Sequence, residues 1–413
     1  MSTLTAEDEK IAALRLALPA LSAGVYLNAG TCGPLPAETA AAMADVADWE
    51  LRTGRASPDT YFDVLQRMEE ARASIAAIIG ADTRDLALTH AVTEAMNVAA
   101  WGIDWQRGDR AVTARGFEHP GGLSALYAIR DRREVELEMV DIGAGGDRQH
   151  VLAAFDAAIT ARTRLVSLSH VSHATGALLP IAEIAAIAHA RGALIAVDGA
   201  QAVGALPVDV PGLGVDLYGI AGQKWLLGPE GTGALYVAPA ALERLRMTYA
   251  SFWSFEEQDL AGLAQPWPNA RRFEGTSGIN HGLVVGLARS CGWLSMYVGL
   301  GWALERGPAL ARRTAGRLAA IPGVTLVTPP AAMAGLVTFR IAGWSAQAIL
   351  DELGARAFVI ARTVEPLDAV RFSIGWFNTG EELERVLRLV AELAAHTPES
   401  MPPRRTLTIL EGQ

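Results

Sequence analysis

Apolar positions along this chain follow two periods. Spacing of three to four residues predicts a short amphipathic helix over 6–19, then helices over 37–52 and 61–79. Between the first two lies Tyr26 to Pro36, an extended lead-in segment punctuated by Gly and Pro. From residue 86 onward, short apolar runs alternate with helical stretches. Strands are predicted at 86–89, 110–114, 165–170, 193–197, 217–221 and 233–237, with helices at 93–101, 121–132 and 181–191. Runs that are apolar along their whole length and separated by helices predict right-handed crossovers and a mostly parallel α/β sheet covered on both faces. Residues 238–275 read as irregular, with Trp253 and Trp267 either at a substrate entrance or packed on the surface. A helix over 283–302 follows. Strands at 324–327, 336–341, 358–362 and 370–374, with helices near 345–353 and 380–395, then describe a smaller α+β unit. Residues from Pro402 onward read as a weakly structured tail.

Bulk composition narrows the function classes. A chain of 413 residues is long enough for two domains, and 51% apolar with 19% charged residues argues against disorder. Net charge is −10 with no basic block, which argues against a nucleic-acid partner. Cys32 and Cys291 form no C-x-x-C or Cys/His spacing, so neither a disulfide framework nor a metal site is expected. The acidic N-terminus lacks the basic start of a signal peptide, and a cytoplasmic location is expected. Leu283 to Trp302 is interrupted by Arg289, so a buried junction helix is expected there and no membrane partner.

Ligands on parallel sheets bind beyond the carboxyl ends of the strands. Thr93, His119, His170 and Asp198 all fall at or just past predicted strand ends. Lys224 is a lone amine between a strand-like run and the glycine-rich stretch Gly228 to Gly233. A lysine followed by glycines inverts the order of a phosphate-binding Walker loop. Taken singly, Lys224 and Asp198 read as a surface amine and a capping acid. Together, an amine and an acid on neighbouring strand edges suit pyridoxal phosphate. Its aldehyde forms a Schiff base with an amine, and an acid keeps its ring nitrogen protonated. Gln201 either faces the same site as Asp198 or belongs to an Asx turn. Thr93 is expected as a helix N-cap, which either closes an ordinary helix or borders an anion site. His119 is either a structural turn residue or a flat ring over a cofactor. His170 and His173 lack a third ligand for a metal and read better as a polar wall. Arg362 and Arg371 are either paired structurally or clamp a carboxylate.

The run Val197-Asp198-Gly199-Ala200-Gln201, followed by Gln223-Lys224-Trp225-Leu226-Leu227-Gly228-Pro229, resembles the class V aminotransferase family of fold-type I pyridoxal-phosphate enzymes. That family includes cysteine desulfurases and isopenicillin N epimerase-like proteins. Thr93-Glu94-Ala95, Glu118-His119, His170 to His173 and Phe273 to Thr276 extend the resemblance over about residues 26–395. It implies a large cofactor-binding domain at 26–282, a small domain from 1–25 and 283–400, and a tail at 401–413. Lys224 is implied as the Schiff-base lysine and proton shuttle, Asp198 at the ring nitrogen, Gln201 at the phenolate oxygen and His119 stacked on the ring. Thr93 and the Val92 amide would hold the phosphate, and Thr276 would reach the neighbouring subunit's phosphate in a homodimer with shared sites. Arg371 would take the carboxylate of an amino-acid substrate, with Arg362 near the entrance.

The chain departs from the desulfurase pattern. Ala221 and Gln223 stand where a serine and a histidine help hold phosphate, and His173 stands for an asparagine facing the cofactor. The stretch after Arg362, Thr363-Val364-Glu365-Pro366-Leu367, has no cysteine to carry a persulfide. The expected activity is therefore a β-eliminating C–S lyase, with an epimerase or aminotransferase of the isopenicillin N epimerase-like group as the alternative. A non-catalytic scaffold on the same fold is the reading from another class.

Overall fold

The structure, a computed structural model, describes residues 6–275 and 280–404, apart from the side chain of Pro366. Its centre is a seven-stranded sheet. The strands lie in the order Leu86–Thr89, Gly233–Val237, Leu217–Ala221, Leu194–Asp198, Thr163–Ser169, Arg110–Ala114 and Glu136–Val140. Only Gly233–Val237 runs against the others, pairing antiparallel with both of its neighbours. Leu194–Asp198 and Leu217–Ala221 are buried along their whole length, as expected of parallel strands roofed by helices on both faces. Asp198 and Ala221 end two of these parallel neighbours, so the turn carrying Lys224 begins beside the acid.

Some elements lie where the apolar pattern gave no signal. The edge strand Glu136–Val140 has charged residues at alternate positions and is only half-buried, so it lacks a continuous apolar run. The helix Arg148–Ala158 after it is capped by Asp147, which accepts from the Gln149 and His150 amides. Within 238–275, Phe255–Gln258 and Ala264–Pro266 form a hairpin. The expected strand at 358–362 divides between two sheets. Val359–Ile360 pairs in parallel with Val25–Tyr26, whereas Arg362–Val364 joins a four-stranded antiparallel sheet. That sheet runs Val324–Leu326, Leu336–Ile341, Ala369–Ser373, Arg362–Val364. The lead-in segment is thus bound to the C-terminal part of the chain. Leu27 donates to the Ile360 carbonyl at 2.8 Å, and the Ser373 amide donates to the Leu27 carbonyl at 2.7 Å. Val25 and Leu27 are buried among Val337, Phe339 and Phe372.

The helix expected at 283–302 is longer and interrupted. It runs His281–Gly292, passes through a π-helical Trp293–Gly299, and resumes as Leu300–Ala319. Gly299, at φ +88°, supplies the break. Among the described residues this is the one stretch long and apolar enough to cross a membrane. Here its first part packs on the helices Ala37–Thr53 and Pro58–Ile79, with Val284, Leu287 and Leu294 in the main core. Beneath it lies a buried ion pair. Arg72 binds Glu274 and donates to the Leu86 carbonyl at 2.9 Å, while Glu274 accepts from the Leu88 amide at 2.8 Å. Glu274 so ties the segment after the hairpin to the first strand of the main sheet.

Candidate active site

A cavity of about 250 Å³ opens at the carboxyl edge of the main sheet. Val92, Thr93, His119, His173, Asp198, Gln201, Gln223, Lys224, Arg362 and Arg371 all line it. Thr276 lies outside the described residues. A larger groove of about 1390 Å³ shares Thr93 and reaches Tyr249 and Gly275, but it contains no lysine. Size therefore does not decide between them; of the two, the smaller cavity brings an amine and a buried carboxylate together.

Lys224 sits on the loop between the antiparallel neighbours Leu217–Ala221 and Gly233–Val237. That loop is closed by Gly222 donating to Thr232 at 2.9 Å and Gly228 donating to Gly222 at 2.8 Å. Leu227 is held in the left-handed region at φ +57°, a conformation that costs a leucine about 1 kcal/mol or more. Its amide donates to the Lys224 carbonyl at 3.1 Å, and its carbonyl accepts from Ser290 Oγ at 2.8 Å. Gly33 presses on the same turn. Its amide donates to the Gln223 carbonyl at 2.8 Å, and a Cβ there would lie 2.2 Å from the Lys224 carbonyl oxygen. Burial, then Arg371 and Arg362, hold the Lys224 amine below the usual lysine range, against an upward pull from Asp198 and Cys32.

Asp198 is 7% exposed, and its Oδ1 accepts from the Ala200 amide at 2.9 Å. Among the described residues no donor engages its other oxygen. Gln201 is locked by two bonds. Trp225 Nε1 donates to its Oε1 at 3.0 Å, and its Nε2 donates to the Gly30 carbonyl at 2.8 Å. Because an indole only donates, the amide orientation is fixed and a second N–H remains for another acceptor. His119 caps the helix Pro120–Arg133, its Nδ1 accepting from the Gly121 amide at 3.0 Å. Nε2 of the neutral ring then carries the proton. Burial, then Lys224, lower the His119 pKa. His173 meets His119 edge to face at 5.1 Å; burial, then His119, press its pKa down to about 3, and its Nδ1 has no partner among the described residues.

Thr93 is not an N-cap. The helix Val92–Trp101 begins one residue earlier, with Ala91 as cap and no side chain closing the end. Glu94 instead reaches back to the His90 amide at 2.7 Å. An end without a side-chain cap, with Ala91, Val92 and Thr93 on the cavity wall, favours an anion. His170 does not line the cavity. Its Nδ1 and the buried Tyr218 hydroxyl share a hydrogen bond of 2.8 Å, and burial takes its pKa to about 4, which suits an internal brace. Trp253 stacks on Tyr61, and Trp267 donates to the Trp253 carbonyl at 3.0 Å; neither reaches the cavity.

Arg371 and Arg362 face each other across neighbouring strands. Arg371 is 1% exposed and donates from Nη1 to the His173 carbonyl at 2.7 Å. Its Nε and Nη2 have no partner among the described residues. Burial, then Arg362, push its pKa down to about 9. Among the described residues Arg362 makes a 3.2 Å bond to the Thr363 carbonyl and a long 3.5 Å contact to Thr31 Oγ1. Two cross-strand cations without a described carboxylate partner make a receptor for an anion.

Several cavity residues escaped sequence reasoning. Gly30, Thr31 and Cys32 arrive on the lead-in segment, and Glu230 on the loop after Lys224. The glycine bracketing of Thr31 and Cys32 was the available signal, since glycines permit close backbone approach. Glu118, beside His119, is buried. Its Oε2 accepts from Ser169 Oγ at 2.5 Å, and burial raises its pKa to about 8. Among the described residues no group of three His, Cys, Asp or Glu side chains is placed to hold a metal ion.

Comparison with known proteins agrees with this geometry. The aminotransferase class-V family profile matches residues 25–386. An isopenicillin N epimerase of Streptomyces clavuligerus is 33% identical over 378 residues, covering 88% of this chain and 93% of the epimerase. A cysteine desulfurase of Enterobacter sp. (strain 638) is 30% identical over 349 residues, covering 79% of this chain and 82% of the desulfurase. Among solved structures, a variant of C-DES with glycine covalently linked to its pyridoxal-phosphate cofactor superposes with a TM-score of 0.86 at 26% identity, over 91% of this chain and 98% of that one. A complex of the cystine C–S lyase C-DES with cysteine persulfide gives 0.85 at 26% identity, over 91% and 99%. A match from Val25 to Val386, spanning both the sheet edge that carries Lys224 and the arginine-bearing strands, makes this chain a member of the class V aminotransferase family of pyridoxal-phosphate-dependent enzymes.

Proposed function

We propose that the protein is a β-eliminating C–S lyase acting on a sulfur-containing amino acid. The observation that supports this choice of reaction is the likeness, over 91% of this chain and 98% of the other, to C-DES, a cystine C–S lyase. The cavity chemistry fits the cofactor. An amine, a carboxylate with a free oxygen, an amide with a spare N–H, and a helix N-terminus without a side-chain cap share one wall set. Pyridoxal phosphate, when bound, supplies an aldehyde that condenses with amines and a ring that draws electrons from the attached carbon.

In this reading Lys224 would hold the cofactor and accept the Cα proton, for which its lowered pKa suits it. Asp198 would hold the ring nitrogen, Gln201 would offer its spare N–H to the ring oxygen, and His119 would flank the ring. Val92 and Thr93 would offer the helix end to the phosphate, and the Gln223 amide would act where desulfurases have a histidine. Arg371 clamps the substrate carboxylate with Nε and Nη2, with Arg362 and His173 at its side. The enzyme works as a homodimer, with 26–282 as its large domain and 1–25 with 283–400 as its small one.

The test is direct. Purified enzyme given a cysteine S-conjugate should release pyruvate and the free thiol in equal amounts, and Lys224→Ala should release none. Borohydride reduction should fix the cofactor on the Lys224 peptide, which a non-catalytic scaffold would not require. The 33% identity to an isopenicillin N epimerase favours one second reading, amino-acid epimerisation. Deuterium entering Cα from solvent without net product would replace the lyase reading with that one.

A further inference from the structure

Cys32 lines the same cavity as Lys224. Its segment is fixed from several directions. Gly33 donates to the Gln223 carbonyl, Gln201 to the Gly30 carbonyl, and the Tyr26 hydroxyl to the Cys32 carbonyl, each at 2.8 Å. The thiol donates to Glu230 Oε1 at 3.6 Å, an ordinary length for sulfur. Glu230 lines the cavity too and is exposed to solvent. Burial, then Glu230, hold the thiol above its usual range, so it stays protonated, while burial pushes the Lys224 amine down. A thiol that keeps its proton and an amine that gives up its proton more readily than usual, lining one cavity, can serve as acid and base. Independently, the unpartnered Nε and Nη2 of the buried Arg371 show that an anionic ligand belongs in this cavity.

We propose that Cys32 is a catalytic residue, the general acid that protonates the departing sulfur while Lys224 removes the Cα proton. The assignment rests on the lyase reading. The Cα–H bond breaks and its proton joins the Lys224 amine. The electron pair left behind forms the Cα–Cβ double bond, and the Cβ–S pair leaves with sulfur. The Cys32 S–H bond breaks and its proton joins that sulfur, which departs as a neutral thiol. The extra proton on Lys224 then restores the Cys32 thiol, so no oxidant or reductant is consumed.

General acid catalysis matters most when the leaving group is a poor one. The holoenzyme is therefore given S-ethylcysteine and S-(4-nitrophenyl)cysteine, whose aryl thiolate departs without help. In Cys32→Ala the ratio of kcat/KM for the aryl over the ethyl conjugate should rise on the order of 100-fold. Cys32→Ser, which keeps a hydroxyl donor, should raise it much less. A second readout uses cofactor-free protein. Iodoacetamide should alkylate Cys32 faster in Glu230→Gln than in wild type, by mass spectrometry of its peptide, because the carboxylate that holds the proton is gone. A wild-type ratio in Cys32→Ala, or equal alkylation rates, overturns the role of Cys32 and leaves the lyase reading standing. Wild-type enzyme that forms no pyruvate from either conjugate overturns both.

Discussion

Glu118 is a carboxylic acid kept neutral inside the protein. Its pKa of about 8 against an ordinary 4.5 comes first from burial, with Ser169 hydrogen bonding in the opposite direction and Asp198 adding to the rise. A raised folded-state pKa contributes stability in full below pH 4.5, and that contribution is lost as the pH climbs towards 8. We predict that wild-type stability falls by up to about 5 kcal/mol across that window, and that Glu118→Gln flattens the slope. Urea midpoints measured at pH 5 and pH 8 check this, and parallel slopes for the two proteins would refute it. Nothing in Phe117-Glu118-His119 announces burial, because the site is dry only where Ser169, from another strand, closes over it. Lys224 and Asp198 were legible for the opposite reason: each sits at the end of an apolar run whose direction can be read locally. Cys32 was not, since its partner Glu230 lies 198 positions away in the chain.

Among elements, the first main-sheet strand depends on the Arg72–Glu274 pair. Both side chains are buried, so removing one leaves the other charged and dry. Arg72→Ala should cost about 3–5 kcal/mol in urea unfolding. The double variant Arg72→Met with Glu274→Leu should recover only part of that, because the Leu88 amide still lacks its acceptor. Full recovery would show that the Glu274–Leu88 bond contributes nothing. At this scale the parallel strands were readable from their apolar runs, as was the helix Gly380–Ala394, expected at 380–395. The half-buried edge strand Glu136–Val140 was not, and neither was the division after Ile360. There the competing partner for Val359 and Ile360 is the lead-in segment, and pairing across the length of the chain has no local signature.

For the whole molecule, we expect a homodimer, and sedimentation should give about 87 kDa, twice the 43.7 kDa chain. A species of 43.7 kDa at micromolar concentration would count against a site shared between subunits. The alternation of strands and helices made the sheet class readable, whereas the joining of its two ends was not. That joining shapes how the enzyme is made. The segment through Val25, Leu27 and Gly33 leaves the ribosome early, yet it is pinned by Ile360 and Ser373 and then braces the turn beneath Lys224. A nascent chain can therefore build most of its central sheet during translation, but the turn that carries Lys224 is braced only after Ile360 and Ser373 emerge. Products that stop before Ile360 would keep the central sheet and lack the pinned brace beneath Lys224.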